Sequence, residues 1–246
     1  ELNKIDNLKN KVEEKLNDKN FSLDTIGKSD SQVLIFDDSV LKIQNNDFNA
    51  QNELQTLLWL ENQNEIISPK VFDSKIIDNK LFILMSKIQN EISENKNDFS
   101  MACDEYFLTN ENLLCENLVE SLKSIWNLDI KKCPSNHNLE TKLLQAEFNV
   151  KNNLIDINDC QEDTFSKNDK IGKFKNPQEL LQWLKDNKPE IKENEKCFSH
   201  GDFCLPNIFF NKNSTQKFQY GILDVGRSAV LDKWNDIALC YRSIKD

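Results

Sequence analysis

Arginine is almost missing from this chain. Of its 31 basic residues only Arg227 and Arg242 are Arg, while Asn, Lys and Ile abound, as an AT-rich coding bias would produce. Such a bias replaces Arg by Lys wherever Lys will serve. Lys cannot imitate the planar, two-pronged grip of a guanidinium on a carboxylate or phosphate, so both Arg positions are expected to hold such groups. Glycine is scarce as well, at five, and three of the five (Gly201, Gly221, Gly226) fall in or beside one short stretch. No apolar run approaches the roughly 18 residues of a membrane span. Residues 1–20 are polar and charged, unlike a secretory leader, and the opening on Glu1 is expected to reflect a few trimmed residues. The seven cysteines are odd in number and form no CxxC pair; they read as free thiols of a cytoplasmic protein. Cys133 and His137 make only half a zinc site. A net charge of −10 argues against nucleic acid as a partner, since phosphate binding needs a basic face, and suits a polycationic small molecule.

What is present is a hydrophobic fraction of 38% with 15 Phe in 246 residues, enough for one large domain or two small lobes. Ile5, Leu8, Val12 and Leu16 recur at helical spacing over 3–19. Residues 21–27 read as a strand entering the small polar loop 28–31, and 32–36 and 39–43 as two strands joined by an Asp37-Asp38 turn. Lys42 stands inside the third strand. A helix over 48–62 follows, with Leu54, Leu57, Leu58 and Leu60 apolar and Glu53 near its start; 70–77 and 81–85 read as two more strands. This predicts an α+β fold of two lobes. The N-lobe, 1–88, holds a five-stranded antiparallel sheet with one or two helices, and a mainly helical C-lobe occupies 89–246. In the C-lobe, 91–100 reads as loop, 109–127 as the strongest helix with Thr109 as N-cap, 139–150 as the next. A further helix, 176–185, is expected to turn Leu180, Leu181 and Leu184 inward. The acidic run Asp156, Asp159, Glu162, Asp163 reads as a solvated loop or as the wall of a pocket for a cation.

The stretch that holds Gly201 runs Ser199-His-Gly-Asp-Phe-Cys-Leu-Pro-Asn207, with an acid and an amide five residues apart on a turn before an apolar run. Gly221-Ile-Leu-Asp224-Val-Gly-Arg227 then ends an apolar strand in a second acid. Phosphoryl transfer has a loose transition state that asks for positioning and charge neutralisation more than for a strong base. Asp202 could orient the acceptor hydroxyl and take its proton. Asn207 and Asp224 offer the hard oxygen ligands that suit Mg²⁺. Lys42, held by Glu53, could bridge the phosphates of ATP, and the backbone of Ser86 and Ile88 could pair with adenine at a hinge. His200 reads as structural.

Taken in order, Thr25-Ile-Gly-Lys-Ser-Asp30, Leu41-Lys42, Glu53 with Leu58-Trp-Leu60, Leu84-Met-Ser86, His200 to Asn207, Asp224-Val-Gly-Arg227, Asp232 to Ala238 and Arg242-Ser-Ile244 resemble the aminoglycoside 3'-phosphotransferases, bacterial kinases that inactivate antibiotics. The resemblance implies a protein-kinase-like fold. It also implies transfer of the γ-phosphoryl group of ATP, with Mg²⁺, to the 3'-hydroxyl of kanamycin- or neomycin-type aminoglycosides. By the same resemblance Asp202 is the base, Asn207 and Asp224 hold metal, and Lys42 with Glu53 holds phosphate. Ser29 supplies a phosphate-loop hydroxyl, and Ser86 and Ile88 form the hinge. Asp159, Glu162, Arg227 and Arg242 match aminoglycoside-binding positions. Two departures stand out. Lys87 and Gln89-Asn90 replace the usual acid and nearby Gly after the hinge. The chain also stops at Asp246, where the family continues for a further helix pair, so the acceptor pocket is expected to be incomplete. Two rival readings remain: a kinase for another hydroxylated small molecule, and a truncated nucleotide-binding pseudoenzyme. No nucleic-acid or membrane partner is expected, and monomer and dimer are both open.

Overall fold

The placement of Lys42 follows from the order of strands in the larger sheet. β1 (Ser22–Leu23), β2 (Gln32–Ile35), β3 (Val40–Asn45), β4 (Val71–Ile77) and β5 (Lys80–Met85) form one antiparallel sheet in the order β1-β2-β3-β5-β4. The computed structural model describes residues 11–18, 20–24, 31–88, 99–135, 138–156, 174–212 and 218–245. Successive side chains of a strand point to opposite faces. Leu41, Ile43, Phe82 and Leu84 face one side, where Val12 of α1 (Lys11–Asn17) and Phe36 complete a small core. Ile83 and Met85 face the other side and join the main core with Leu54 and Leu57 of α2 (Phe48–Leu60). Lys42 is paired across the strands with Ile83 and shares its face. It therefore points toward α2 instead of into water and is only 7% exposed.

The remaining elements are β6 (Phe99–Met101), α3 (Glu105–Leu108), α4 (Glu111–Trp126), α5 (Leu139–Lys151), α6 (Pro177–Asp186), β7 (Cys197–Ser199), β8 (Ile208–Asn211), β9 (Tyr220–Ile222), β10 (Ala229–Leu231) and α7 (Trp234–Lys245). β6, β8 and β9 make a three-stranded sheet in the order β6-β8-β9, and β7 pairs with β10. Ile67, between α2 and β4, takes one parallel bridge to Gly221 of β9. Its N–H donates to Tyr220 O at 3.1 Å, and its carbonyl accepts from Ile222 N at 3.0 Å. This bridge runs from the chain beside the large sheet to the strand that leads into Asp224. Among the described residues no helix is long and apolar enough to cross a membrane.

The five strands and helix expected before residue 88 are present. Several local expectations are corrected. Leu58 lies 41% exposed instead of on the inner face of α2. Residues 99–101, read as loop, form β6, because Phe99 pairs with Asn211 across more than a hundred residues of chain. Thr109 does not cap α4. It closes the short helix α3, donating its N–H to Glu105 O, and Asn110 takes the N-cap position of α4. Asn176, where the helix was expected to start, instead caps α6, accepting from Glu179 N, and the helix begins at Pro177. Leu180 and Leu181 are only half-buried and Leu184 is 37% exposed, since α6 packs beside α5 and neither helix buries a residue fully. Residues 1–10 of the expected first helix, the loop 25–30 and most of the acidic run lie outside the described residues.

Candidate active site

Lys42 Nζ donates to Glu53 Oε1 at 2.7 Å and to Asp224 Oδ1. Gln44 lies two residues further along β3, hence on the same face, and donates to Glu53 Oε2 at 2.8 Å. Both oxygens of the buried Glu53 carboxylate thus have donors. Burial alone would push the Lys42 ammonium down, but Glu53 and then Asp224 outweigh it and raise its pKa. Asp224 approaches from the end of β9 in a left-handed backbone conformation, φ 59°, a region that costs energy for a residue with a Cβ and persists where the surroundings hold it. Its side chain is 48% exposed, so it meets the ammonium on one side and the cleft on the other.

The Asp202 loop is built around a buried acid at the start of α7. Asp236, fully buried, accepts from Ser199 Oγ at 2.9 Å, His200 N at 3.1 Å and Gly201 N at 3.0 Å, and from the Trp126 indole at 3.4 Å. Asn235 adds a bond to Ser199 Oγ at 2.7 Å. Gly201 has φ +80°, and a Cβ there would stand 1.9 Å from Arg227 O, so only glycine lets the loop pass this close to the turn after Asp224. His200 is buried; its Nδ1 accepts from Asp202 N at 3.2 Å, so Nε2 carries the proton toward Leu223 O at 2.8 Å. Burial holds its pKa below the ordinary value of 6.5. Asn207 Nδ2 donates to Asp202 O at 3.0 Å, and Asn207 O accepts from Leu223 N at 2.9 Å. The amide nitrogen being so engaged, Oδ1 is the atom of Asn207 suited to a cation.

A cleft of about 270 Å³ brings Lys42, Glu53, Asp202, Asp224 and Arg227 together with Ser31, Gln44, Asn45, Asp47, Asn49 and Gly226. Asn207, bonded to the Asp202 carbonyl, is not among the residues lining it. Arg227 is exposed and, among the described residues, pairs with no carboxylate. Arg242 is exposed on α7 and is not among the residues lining this cleft. Ser86 donates its N–H to Lys70 O and accepts from Lys70 N, both at 2.9 Å, which fixes the end of β5 where Ile88 follows. Ser29, Asp159 and Glu162 lie outside the described residues. The six described cysteines are free. Burial pushes the Cys197 thiol up to about 12 and the Cys204 and Cys240 thiols up to about 11, so the cysteines around the loop stay protonated and weakly nucleophilic.

Three contributors escape a reading of the sequence alone. Asp236 stands one helical turn before Cys240 and two before Ser243; Cys240 is buried and Ser243 Oγ accepts from Leu205 N at 3.0 Å. That spacing marks an inner face on α7, and an acid on an inner face is the available signal. Gln44 could have been found from the two-residue period of β3. Lys142 of α5 gave no signal. Burial and then the Arg227 guanidinium push its ammonium down, while Asp236 and Asp202 oppose them, which sets Lys142 near the same loop.

The model of a phosphotransferase enzyme family matches residues 27–246. An aminoglycoside 3'-phosphotransferase of Enterococcus faecalis is 30% identical over 224 residues, 90% of this chain and 74% of that protein. One of Staphylococcus aureus is 29% identical over the same shares. Among solved structures, an aminoglycoside phosphotransferase from Streptomyces rimosus aligns with a TM-score of 0.72 at 20% identity, over 99% of this chain and 83% of that one. A choline/ethanolamine kinase family protein from Mesorhizobium loti aligns at 0.56 and 12% identity, over 91% and 64%. At such identities the structures share the fold, which is the protein-kinase-like one.

Proposed function

The chain belongs to the phosphotransferase enzyme family, and from that premise we propose that it transfers the γ-phosphoryl group of ATP to the 3'-hydroxyl of aminoglycosides of the kanamycin and neomycin type, and so confers resistance. The observation that carries this reading is the assembled Lys42–Glu53–Asp224 group facing Asp202 across one cleft. Lys42 binds phosphate oxygens, and Glu53 keeps its ammonium charged and aimed. Asp202 orients the acceptor hydroxyl and takes its proton as the O–P bond forms. Its backbone is held on both sides, by His200 and by Asn207, so its side chain is aimed with little reorganisation. Asn207 Oδ1 and the Asp224 carboxylate fit Mg²⁺, being hard oxygen donors; bound there, the ion would neutralise phosphate charge. Ser86 and Ile88 receive the adenine, and Ser29 meets the phosphates. Asp159, Glu162, Arg227 and Arg242 belong to the acceptor side in this reading, and the lobes divide at 88/89.

The test is a coupled assay of ADP release with ATP and kanamycin on the full-length protein, run beside Asp202→Ala. Kanamycin-dependent release is expected, with a loss of roughly a thousandfold or more in the variant. Absence of kanamycin dependence would sink the acceptor assignment. Equal rates for the two proteins would sink the role of Asp202.

A further inference from the structure

Glu53 and Asp224 reach Lys42 from separate segments, one on α2 and one after β9, and something must keep those segments in register. We infer that Asn52, Thr56, Ser135 and Ser228 are positioning residues that lock α2 to the turn following Asp224, so that the cleft is assembled before any ligand enters. This rests on the reading of the site given above.

Asn52 precedes Glu53 on α2 and is 6% exposed. Its Nδ2 donates to Gly226 O and to Ser228 O, both at 3.0 Å. These carbonyls belong to the single turn of 3-10 helix over Val225–Arg227 and the residue that ends it. The turn can come this close because Gly226 has no side chain: a Cβ there would stand 3.1 Å from Asn49 O. Thr56 lies one helical turn after Asn52, on the same face. Thr56 Oγ1 lies 2.9 Å from Ser228 Oγ and 3.0 Å from Ser135 Oγ, and Ser135 Oγ lies 2.9 Å from Ser228 Oγ. Thr56 and Ser228 are fully buried and Ser135 is 7% exposed. Three hydroxyls at the corners of such a triangle can each donate to the next, which uses every proton and leaves none unpaired.

An apolar patch would have joined these segments at least as firmly, because buried polar groups are costly unless every one is paired. What hydrogen bonds add is direction. A hydrophobic contact tolerates a slide of α2 along the turn, whereas the Asn52 fork and the hydroxyl triangle hold in one register only. Ser135 comes from the connection between α4 and α5, so the triangle joins three separate segments. The left-handed Asp224 lies one residue before this turn, and Glu53 one residue after Asn52. Fixing the turn against α2 fixes both acids about Lys42.

Three variants test this: Thr56→Val, Thr56→Ser and Asn52→Leu. Val keeps the shape of Thr and loses the hydroxyl; Ser keeps the hydroxyl and loses a methyl. A packing role predicts that Ser is the worse replacement, a positioning role that Val is. Measured well below each variant's unfolding midpoint, Thr56→Val and Asn52→Leu are expected to raise the KM for ATP on the order of tenfold and to lower kcat by a similar factor. The KM for kanamycin should stay within about twofold, and Thr56→Ser should behave as wild type. Hydrogen exchange of 222–230 should accelerate in the first two variants and not in the third. Unchanged ATP kinetics in Thr56→Val and Asn52→Leu, or a Ser variant as impaired as the Val one, would overturn the inference. If the wild-type protein binds ADP by calorimetry and ignores kanamycin, only the acceptor assignment fails, and ADP affinity replaces the kinetic readout. If it binds no nucleotide, the site reading fails, and unchanged exchange at 222–230 in Thr56→Val and Asn52→Leu overturns the locking as well.

Discussion

At the scale of single residues, the cleft depends on carboxylates in opposite circumstances. Asp202 and Asp224 face the cleft and are available to ligands, whereas Asp236 is sealed away with four donors around it. Its role is to hold the backbone of the Asp202 loop. Asp236→Ala would leave the Ser199 hydroxyl and the His200 and Gly201 N–H groups buried without an acceptor. At 1–3 kcal/mol for each unsatisfied group, partly relieved by relaxation, a loss of about 3–5 kcal/mol in urea unfolding is expected. A loss under about 1 kcal/mol would mean that the loop holds its shape without this acid. In the sequence, Asp202, Asn207 and Asp224 stand out by their spacing along a loop and a strand, the pattern that the proposed phosphoryl transfer asks for. Asp236, though inside the block Asp232 to Ala238, carried no sign of its role, because three of its partners lie 35 to 37 residues earlier and Trp126 lies 110 earlier, and only the fold brings them together.

At the scale of elements, burial separates α2 and α4 from α5 and α6. α2 buries Leu54, Leu57, Trp59 and Leu60 in the main core, while α5 and α6 bury nothing fully. Leu57→Ala is therefore expected to lower unfolding stability by about 2–5 kcal/mol. Leu144→Ala, at a position 66% exposed on α5, should stay within about 0.5 kcal/mol. Denaturant midpoints for the two variants check both figures, and equal losses would contradict the burial pattern. The helical period of 176–185 announced an amphipathic helix and placed its start at Asn176. The amount of water its apolar face sheds was not legible, since that depends on the neighbour. β6 escaped for a related reason: a three-residue strand is too short for a two-residue period to show, and its partner lies across the sheet in β8.

At the scale of the whole molecule, stability is expected to depend on pH through groups that the fold holds away from their ordinary charge state. His200 is neutral and its folded pKa lies below 6.5. The unfolded chain therefore binds the extra proton first on acidification, and stability falls as pH drops from about 6.5 toward the lower folded value. Lys42 acts at the other end: its folded pKa lies above 10.5, so its contribution is full below that value and is lost as pH rises through the folded one. Urea midpoints at pH 8, 7 and 6 should be level between the first two and lower at the third. A flat profile down to pH 6 would show that His200 is not held neutral.

The sequence by itself determined the five-stranded sheet and its helix, the acids and the amide of the loop, and the family they resemble. Each of these is a local pattern: a period of two, a spacing of five, a strand that ends in an acid. Only the tertiary structure decided that Lys42 faces Glu53 and not water. A two-residue period says that a strand has two faces, and only the packing of α2 says which of them is buried. Tertiary structure likewise chose Asp236 as the support of the loop and closed Thr56, Ser135 and Ser228 into one triangle. Those hydroxyls stand 79 and 93 residues apart along the chain, and no local pattern relates them.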